Sequence, residues 1–318
     1  MCLRKWLFPA AAACSGVLAL LLLTCGNTAA QGVRDGISLC LASVIPALFP
    51  FFVAAQLLTA LGAAEVLGRA AGPLFRRLFC IDGAGAAAFL LGLLGGYPVG
   101  AKAAGSLVRQ GLLSPEDGAR LLTFCNNAGP AFILGIVGGG VFHSPRAGVW
   151  LYLLHASSAT AVGLLLCRAG GRKPPAVPRT ALAGTRRSAV VPVKKPTASL
   201  AAAFIEAVQS GVRAMAGVCG FVIFFLVLLR LAEEALGSLP PLAAGLLELT
   251  NGILRLTPDR RGFITAAGLL GWGGLSVHGQ TAAVLGGSGI SLRRYLPAKT
   301  LQGALSAVLA AAVWRWVL

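Results

Sequence analysis

Residues 86–100 read AAAFLLGLLGGYPVG, and residues 246–254 read LLELTNGIL. Each is an apolar run interrupted by glycine. The first also carries a proline and is followed by Lys102, and the second holds a carboxylate, Glu248. A bilayer core offers no water to unpaired backbone groups, so a broken helix survives there only where protein buries it or where it lines a polar cavity. Charges placed among such breaks usually mark a pathway through the membrane. The two stretches together point to a transporter.

Composition agrees. Hydrophobic residues make up 57% of the 318, charged residues 12%, and glycine numbers 42, with a mean hydropathy of +0.81. So few charges cannot cover the apolar surface of a soluble domain of this size. The net charge of +17 is not the footprint of a nucleic-acid binder, because the basic residues cluster in the short polar gaps between apolar runs, as the positive-inside rule requires. The eight cysteines show no CxxC spacing and lie mostly in apolar segments. That argues against a disulfide framework and a zinc site.

Residues 1–30 form an N-terminal transmembrane helix with Arg4 and Lys5 on its cytoplasmic flank. It reads as an uncleaved first span, although Thr28-Ala29-Ala30 would suit a signal-peptide cleavage site. Gly36 to Leu61 is long enough to cross roughly 30 Å of hydrocarbon, and Pro46 and Pro50 predict a kink. Arg69, Arg76 and Arg77 mark a cytoplasmic loop. Ala84 to Val108 reads as a re-entrant hairpin about Gly-Gly-Tyr-Pro. Ser114, followed by Pro115, Glu116 and Asp117, predicts a helix N-cap, and that helix breaks at Phe124-Cys125-Asn126-Asn127-Ala128-Gly129-Pro130. Phe132 to Phe142 completes the crossing, and Val149 to Cys167 returns.

Residues 169–198 form a Pro-rich basic linker; from Arg168 to Pro196 there are eight basic residues and no acid, a composition that cannot bury itself. Beyond it come a crossing from Ala203 to Leu231, a shallow hairpin around Glu248, a crossing from Phe263 to Gly286 interrupted over Gly271 to Gln280, a loop marked cytoplasmic by Arg293, Arg294 and Lys299, and a last span from Thr300. Residues 33–168 and 199–318 thus repeat one order of elements. Three crossings each make them inverted. The fold class is all-α: a polytopic integral membrane protein with two inverted-topology repeats and broken, re-entrant hairpins. Arg255, Arg260 and Arg261 fall on the outer side of this arrangement, against the charge rule.

A broken helix presents free N–H groups at one end and free carbonyls at the other. Anions suit the N–H ends, the more so beside Lys102. Gly96, Tyr97, Pro98, Asn126, Asn127 and Gly129 from the first repeat, with Thr250, Asn251, Ser276, His278 and Gln280 from the second, would form a polar substrate chamber. Glu248 is the candidate for ion or proton coupling. Duller roles stand beside these: Lys102 snorkelling to a loop, Glu248 paired with Lys102 or Arg255, the asparagines capping half-helices, and His278 held by helix contacts. His155 reads as structural. The chain has no HExxH, GxSxG or Walker motif and no His/Cys cluster with ligand spacing, so neither an enzyme, a cofactor nor a metal is expected.

The segment GLLGGYPVGAKAAGSLVRQGLLSPEDGARLLTFCNNAGPAFILG (92–135), with LLELTNGI and GGLSVHGQ, closely resembles the YlbJ-type sporulation integral membrane proteins, which carry the nucleoside-recognition or Gate domain. The resemblance runs over nearly the whole chain and makes both repeats Gate-like. It implies export of dipicolinic acid from the mother cell across the outer forespore membrane during stage V of sporulation. Dipicolinate, a flat pyridine with two carboxylates, suits Lys102, the asparagine pair and free helix N-termini. A nucleoside or purine carrier, and a non-transporting membrane scaffold or gating partner, are the alternatives. The implied partners are the anion and the lipid bilayer, with a homo-oligomer left open and nucleic acid excluded.

Overall fold

The computed structural model describes residues 2–169 and 199–317, and every regular element among them is helical. Helices satisfy their own backbone groups, which is what lets them cross a bilayer. Four stretches are long and apolar enough to do so: Gly26–Ala60, Pro145–Cys167, Leu200–Leu236 and Leu292–Trp316. The chain is an all-α, polytopic membrane protein. From residue 170 on, the basic linker lies outside the described residues.

In chain order, α1 (Cys2–Thr24) leads to the long α2 (Gly26–Ala60) and then α3 (Ala63–Phe79). A helical hairpin follows, α4 (Gly85–Gly95) and α5 (Val99–Arg109). A broken pair comes next, α6 (Pro115–Cys125) and the π-helical α7 (Ala131–Val141), and α8 (Pro145–Ala169) closes the first part. The second part follows. Its members are α9 (Leu200–Leu236), the short hairpin α10 (Pro241–Leu247) and α11 (Leu249–Leu254), the broken pair α12 (Arg260–Trp272) and α13 (Gly274–Val284), and α14 (Tyr295–Val313).

Pro46 and Pro50 lie within α2; a π-helical turn, Cys40–Val44, precedes Pro46, and the Ile45 N–H reaches back to the Cys40 carbonyl. The wider turn accommodates a proline ring that would otherwise meet the carbonyl one turn before it. Arg69, Arg76 and Arg77 are not in a loop. They lie on α3, which is amphipathic and buries Phe75 and Phe79 against Phe89 and Phe124, with Phe79 stacked on Phe124 at 4.7 Å. Apolar residues at helical spacing outweigh three arginines that can face outward.

The long helices α2 and α9 cross closely at Gly32 and Gly36. A Cβ at either would stand 2.8 Å from the Cα of Val227 or Ile223. Small residues four apart let membrane helices approach to backbone contact. At one end of this pair Arg230 bridges Asp35 (2.7 Å) and Glu233 (3.1 Å), and Glu233 also takes Arg255 at 2.5 Å. That ion cluster gives Arg255, the exception to the charge rule, a structural partner.

Ser114 caps α6 as expected, its Oγ accepting the Asp117 N–H at 3.1 Å. Ser114→Ala should cost about 1 kcal/mol, read as a drop of a few degrees in the melting temperature of the purified protein; an unchanged melting temperature would mean that water replaces the cap.

Candidate functional site

The first hairpin and the first broken pair form one unit. The carbonyl of Cys125, the last residue of α6, presses between Gly92 of α4 and Gly100 of α5 so tightly that neither position has room for a side chain. At the hairpin tip Gly96, with φ +75°, lies against Gly129, where an added Cβ would stand 2.9 Å from the Gly129 nitrogen. Glycines spaced through the apolar runs therefore bring the Gly-Gly-Tyr-Pro break onto the Asn-Asn-Ala-Gly-Pro break.

The groups freed by ending α6 are taken up by a buried polar network. Asn126 Oδ1 accepts the Ala101 N–H in the first turn of α5 (3.3 Å), and its Nδ2 donates to Thr281 Oγ1 (2.8 Å) and the Tyr295 hydroxyl (2.9 Å). Asn127 Nδ2 caps the Phe124 carbonyl at 2.7 Å, and its Oδ1 accepts from Gln302 Nε2 at 3.1 Å. The Ala128 N–H donates to His155 Nε2 at 3.1 Å. Both asparagines are fully buried and spend these side-chain groups on protein partners. They act here as caps and connectors.

At the centre of the network stands Lys299, one turn into α14. Sequence reading placed it in a cytoplasmic loop beside Arg293 and Arg294; it is instead 0% exposed. Its Nζ donates to the Asn126 carbonyl (3.0 Å) and Gln302 Oε1 (2.6 Å) and lies 5.4 Å from the centre of the Tyr97 ring. No carboxylate among the described residues forms an ion pair with it. The reason it escapes the surface is helical phase. Tyr295, Lys299, Gln302 and Ser306 recur at steps of four, three and four, and all are buried on one face of α14. That polar stripe in an apolar helix was the available signal.

Two of the cavities beside this unit are lined by residues singled out in the sequence. A small chamber of about 50 Å³ is lined by Gly96, Tyr97, Gly129, Glu248, Thr250 and Gln280 among others. The Glu248 carboxylate, 1% exposed, accepts the N–H groups of Thr250 (3.2 Å) and Asn251 (2.7 Å) and so caps α11. It pairs with neither Lys102 nor Arg255. The carboxylate is short and satisfied locally by α11, while Arg255 is taken by Glu233. A second cavity of about 330 Å³ lies between α5 and α9, lined by Pro98, Lys102, Ser210, Arg213, Gln56 and Gln280 among others. Lys102 Nζ reaches Ser210 Oγ at 3.5 Å. Phe52, Val218 and Gln280 line both cavities.

The sequence-predicted residues therefore divide three ways. Gly96, Tyr97, Gly129, Thr250 and Glu248 line the chamber, Pro98 and Lys102 the larger cavity, and Gln280 both. Asn126 and Asn127 sit in the network behind. Ser276, His278 and Asn251 line neither cavity. The break in the second crossing falls at Gly273 and Gly274, at φ +95° and +79°, which places Ser276, His278 and Gln280 within α13. His278 is enclosed edge-on by Trp272 and Tyr295, and neither ring nitrogen has a hydrogen-bond partner among the described residues. Among the charged residues here, the sequence reading does not single out Arg213, and it uses Lys299 only as the mark of a loop.

Residues 41–142, from within α2 to the end of α7, match the family model described as Gate, nucleoside recognition. The chain is also 29% identical over 321 residues to the sporulation integral membrane protein YlbJ of Bacillus subtilis (strain 168), an alignment covering 90% of this chain and 77% of the relative. It is thus similar to a sporulation membrane protein along most of its length. No solved structure matches. The Gate match contains the first hairpin, Lys102 and the asparagine break. Glu248, Arg213 and Lys299 lie beyond it.

Proposed function

We propose that this chain is a carrier, not an enzyme, for a small organic anion, and that the anion is dipicolinate leaving the mother cell across the outer forespore membrane. One observation carries the anion assignment: a buried lysine without an ion-paired carboxylate stands directly behind Tyr97, a wall of the chamber where the broken segments meet. A buried amine with no counter-ion holds its proton more readily once an anion stands in front of it, so the position favours an anion. Similarity to a protein named for sporulation favours dipicolinate among such anions. The repeated order of long helix, hairpin, broken crossing and long helix supports inverted repeats and alternating access by an elevator or rocking motion.

Glu248 faces the same chamber, and an ionised carboxylate there would oppose an entering anion. In this reading Glu248 takes up a proton when the anion enters, so anion and proton move together. Glu248→Gln retains an oxygen to cap α11. It should fold normally and transport at a rate that no longer changes between mildly acidic and mildly alkaline pH, whereas the native chain's rate should rise on the acidic side. An unaltered pH profile in the variant would remove Glu248 from coupling.

The name of the Gate family model, nucleoside recognition, favours a second reading, a nucleoside or purine carrier, with Tyr97 stacking on a base. Competition decides between them. Dipicolinate uptake into proteoliposomes should be inhibited by other aromatic dicarboxylates and left unchanged by uridine or adenosine. Inhibition by nucleosides alone would exchange the two readings, and absence of uptake of either class would leave the scaffold role.

A further inference from the structure

The larger cavity has a chemistry of its own. Lys102 comes to it from α5 and Arg213 from α9, on helices that belong to different parts of the chain, and Gln56, Ser210 and Gln280 add neutral hydrogen-bonding groups. Two cationic side chains share this one space. Like charges repel, weakly here because both side chains are exposed, and an anion between them would turn that repulsion into attraction. No carboxylate lines the cavity. Its volume of about 330 Å³ falls in the range of small-molecule sites, roughly 300–1,000 Å³. The chamber's volume of about 50 Å³ has room for only one or two waters at about 30 Å³ each. An anion the size of dipicolinate therefore fits the first space and not, in this conformation, the second.

The two spaces are neighbours. Phe52 and Val218, both buried apolar side chains, and Gln280 line each of them. These three side chains form the partition through which anything passing from one to the other would go.

We propose that the cavity between α5 and α9 is a cationic vestibule in which Lys102 and Arg213 hold a carboxylate or phosphate anion before it crosses the Phe52–Val218–Gln280 partition to the chamber beside Tyr97. The proposal rests on the anion-carrier reading and gives it an order: capture first at a paired-cation site, then passage through a gate. Arg213 offers a planar fork to one carboxylate and Lys102 a point charge to another, so a dicarboxylate with its groups held apart by a ring fits better than a monoanion.

The test measures binding and transport separately. Dipicolinate binding to the purified full-length chain is measured calorimetrically in phosphatidylcholine nanodiscs, and its uptake in proteoliposomes, for the native chain and for Lys102→Ala, Arg213→Ala and Val218→Phe. Lys102→Arg and Arg213→Lys, which keep the charge, control for folding. Each alanine variant should bind roughly tenfold more weakly or worse, the loss expected for one charge-assisted contact, and each charge-keeping variant should bind more tightly than the matching alanine variant. Val218→Phe, which thickens the wall that the two spaces share, should transport poorly.

Binding that is absent in the native chain, or indifferent to both alanine substitutions, overturns the vestibule. A Val218→Phe protein that transports at the native rate overturns passage through the partition. Repeating the titration with phosphatidylglycerol in the nanodiscs separates the two sources of an anion. Displacement of dipicolinate by that lipid would assign the cations to a headgroup and overturn a site for a soluble anion. If binding behaves as expected but the native chain transports no dipicolinate, the site stands and the carrier reading fails.

Discussion

Lys299→Met is expected to yield a folded protein whose apparent affinity for the transported anion falls roughly thirtyfold. The estimate follows from placement. Tyr97 walls the chamber, and the Lys299 amine lies 5.4 Å from the centre of that ring. For unit charges roughly 8 Å apart at an effective dielectric of about 20, the attraction is about 2 kcal/mol, which is roughly a factor of thirty. Stability should change little, because two effects oppose each other. Removing a buried ammonium relieves a desolvation cost of several kcal/mol. It also strands the Asn126 carbonyl and Gln302 Oε1, which Lys299 now satisfies, at about 1–3 kcal/mol each. Concentration-dependent uptake and a melting curve on the same preparation check both halves. Unchanged affinity would reduce Lys299 to a connector, and a collapse of the fold would make its hydrogen bonds its main contribution.

Gly100→Val is expected to abolish recovery of monodisperse protein. The Cβ would collide with the Cys125 carbonyl, a backbone atom held by the end of α6, with the Gly92 Cα 3.0 Å away on the other side. Overpacking in a core usually costs about 1–3 kcal/mol because side chains give way. Here the obstacles are main chain, and relief would require the hairpin α4–α5 to leave the asparagine break. Gly220→Ala is the contrast. That glycine lies within α9 with nothing within 4 Å of an added Cβ, so alanine should raise helix stability by about 0.5–1 kcal/mol. Size-exclusion profiles and melting temperatures of the two variants check the pair. A well-behaved Gly100→Val protein would mean that the hairpin and the break are not locked together.

Features set by neighbours in the chain were legible in the sequence. Ser114 with Pro115 and two acids marked a helix start; Gly-Gly-Tyr-Pro and Asn-Asn-Ala-Gly-Pro marked breaks; Glu248 marked the turn of the short second hairpin. Each depends on local backbone chemistry that a linear reading contains. Features set by which helices meet were harder to read. Lys299 follows Arg293 and Arg294, which lie on a 3-10 turn at the head of α14, and a count of positive charges draws a loop over all three; only the four-three-four polar spacing on α14 reveals a buried face. Arg213 stands at the edge of a strongly apolar run and acquires meaning only because α9 lies against α5 beside Lys102. Lys102 and Glu248, the two charges that drew attention first, line separate cavities. Their separation is a property of packing and has no counterpart in residue spacing. The arginines of α3 show the same limit from the other side, since charge alone suggested a loop where two buried phenylalanines require a helix.

The most direct test of the account is uptake of labelled dipicolinate into proteoliposomes carrying the native chain, with Lys102→Ala and Lys299→Met reconstituted at matched density and protein-free liposomes as the baseline. The account predicts saturable uptake by the native chain and a strong reduction in both variants, each with a melting temperature close to native. Uptake by the native chain no greater than the protein-free baseline, or uptake that both variants sustain at the native rate, would contradict an anion path through the broken helices.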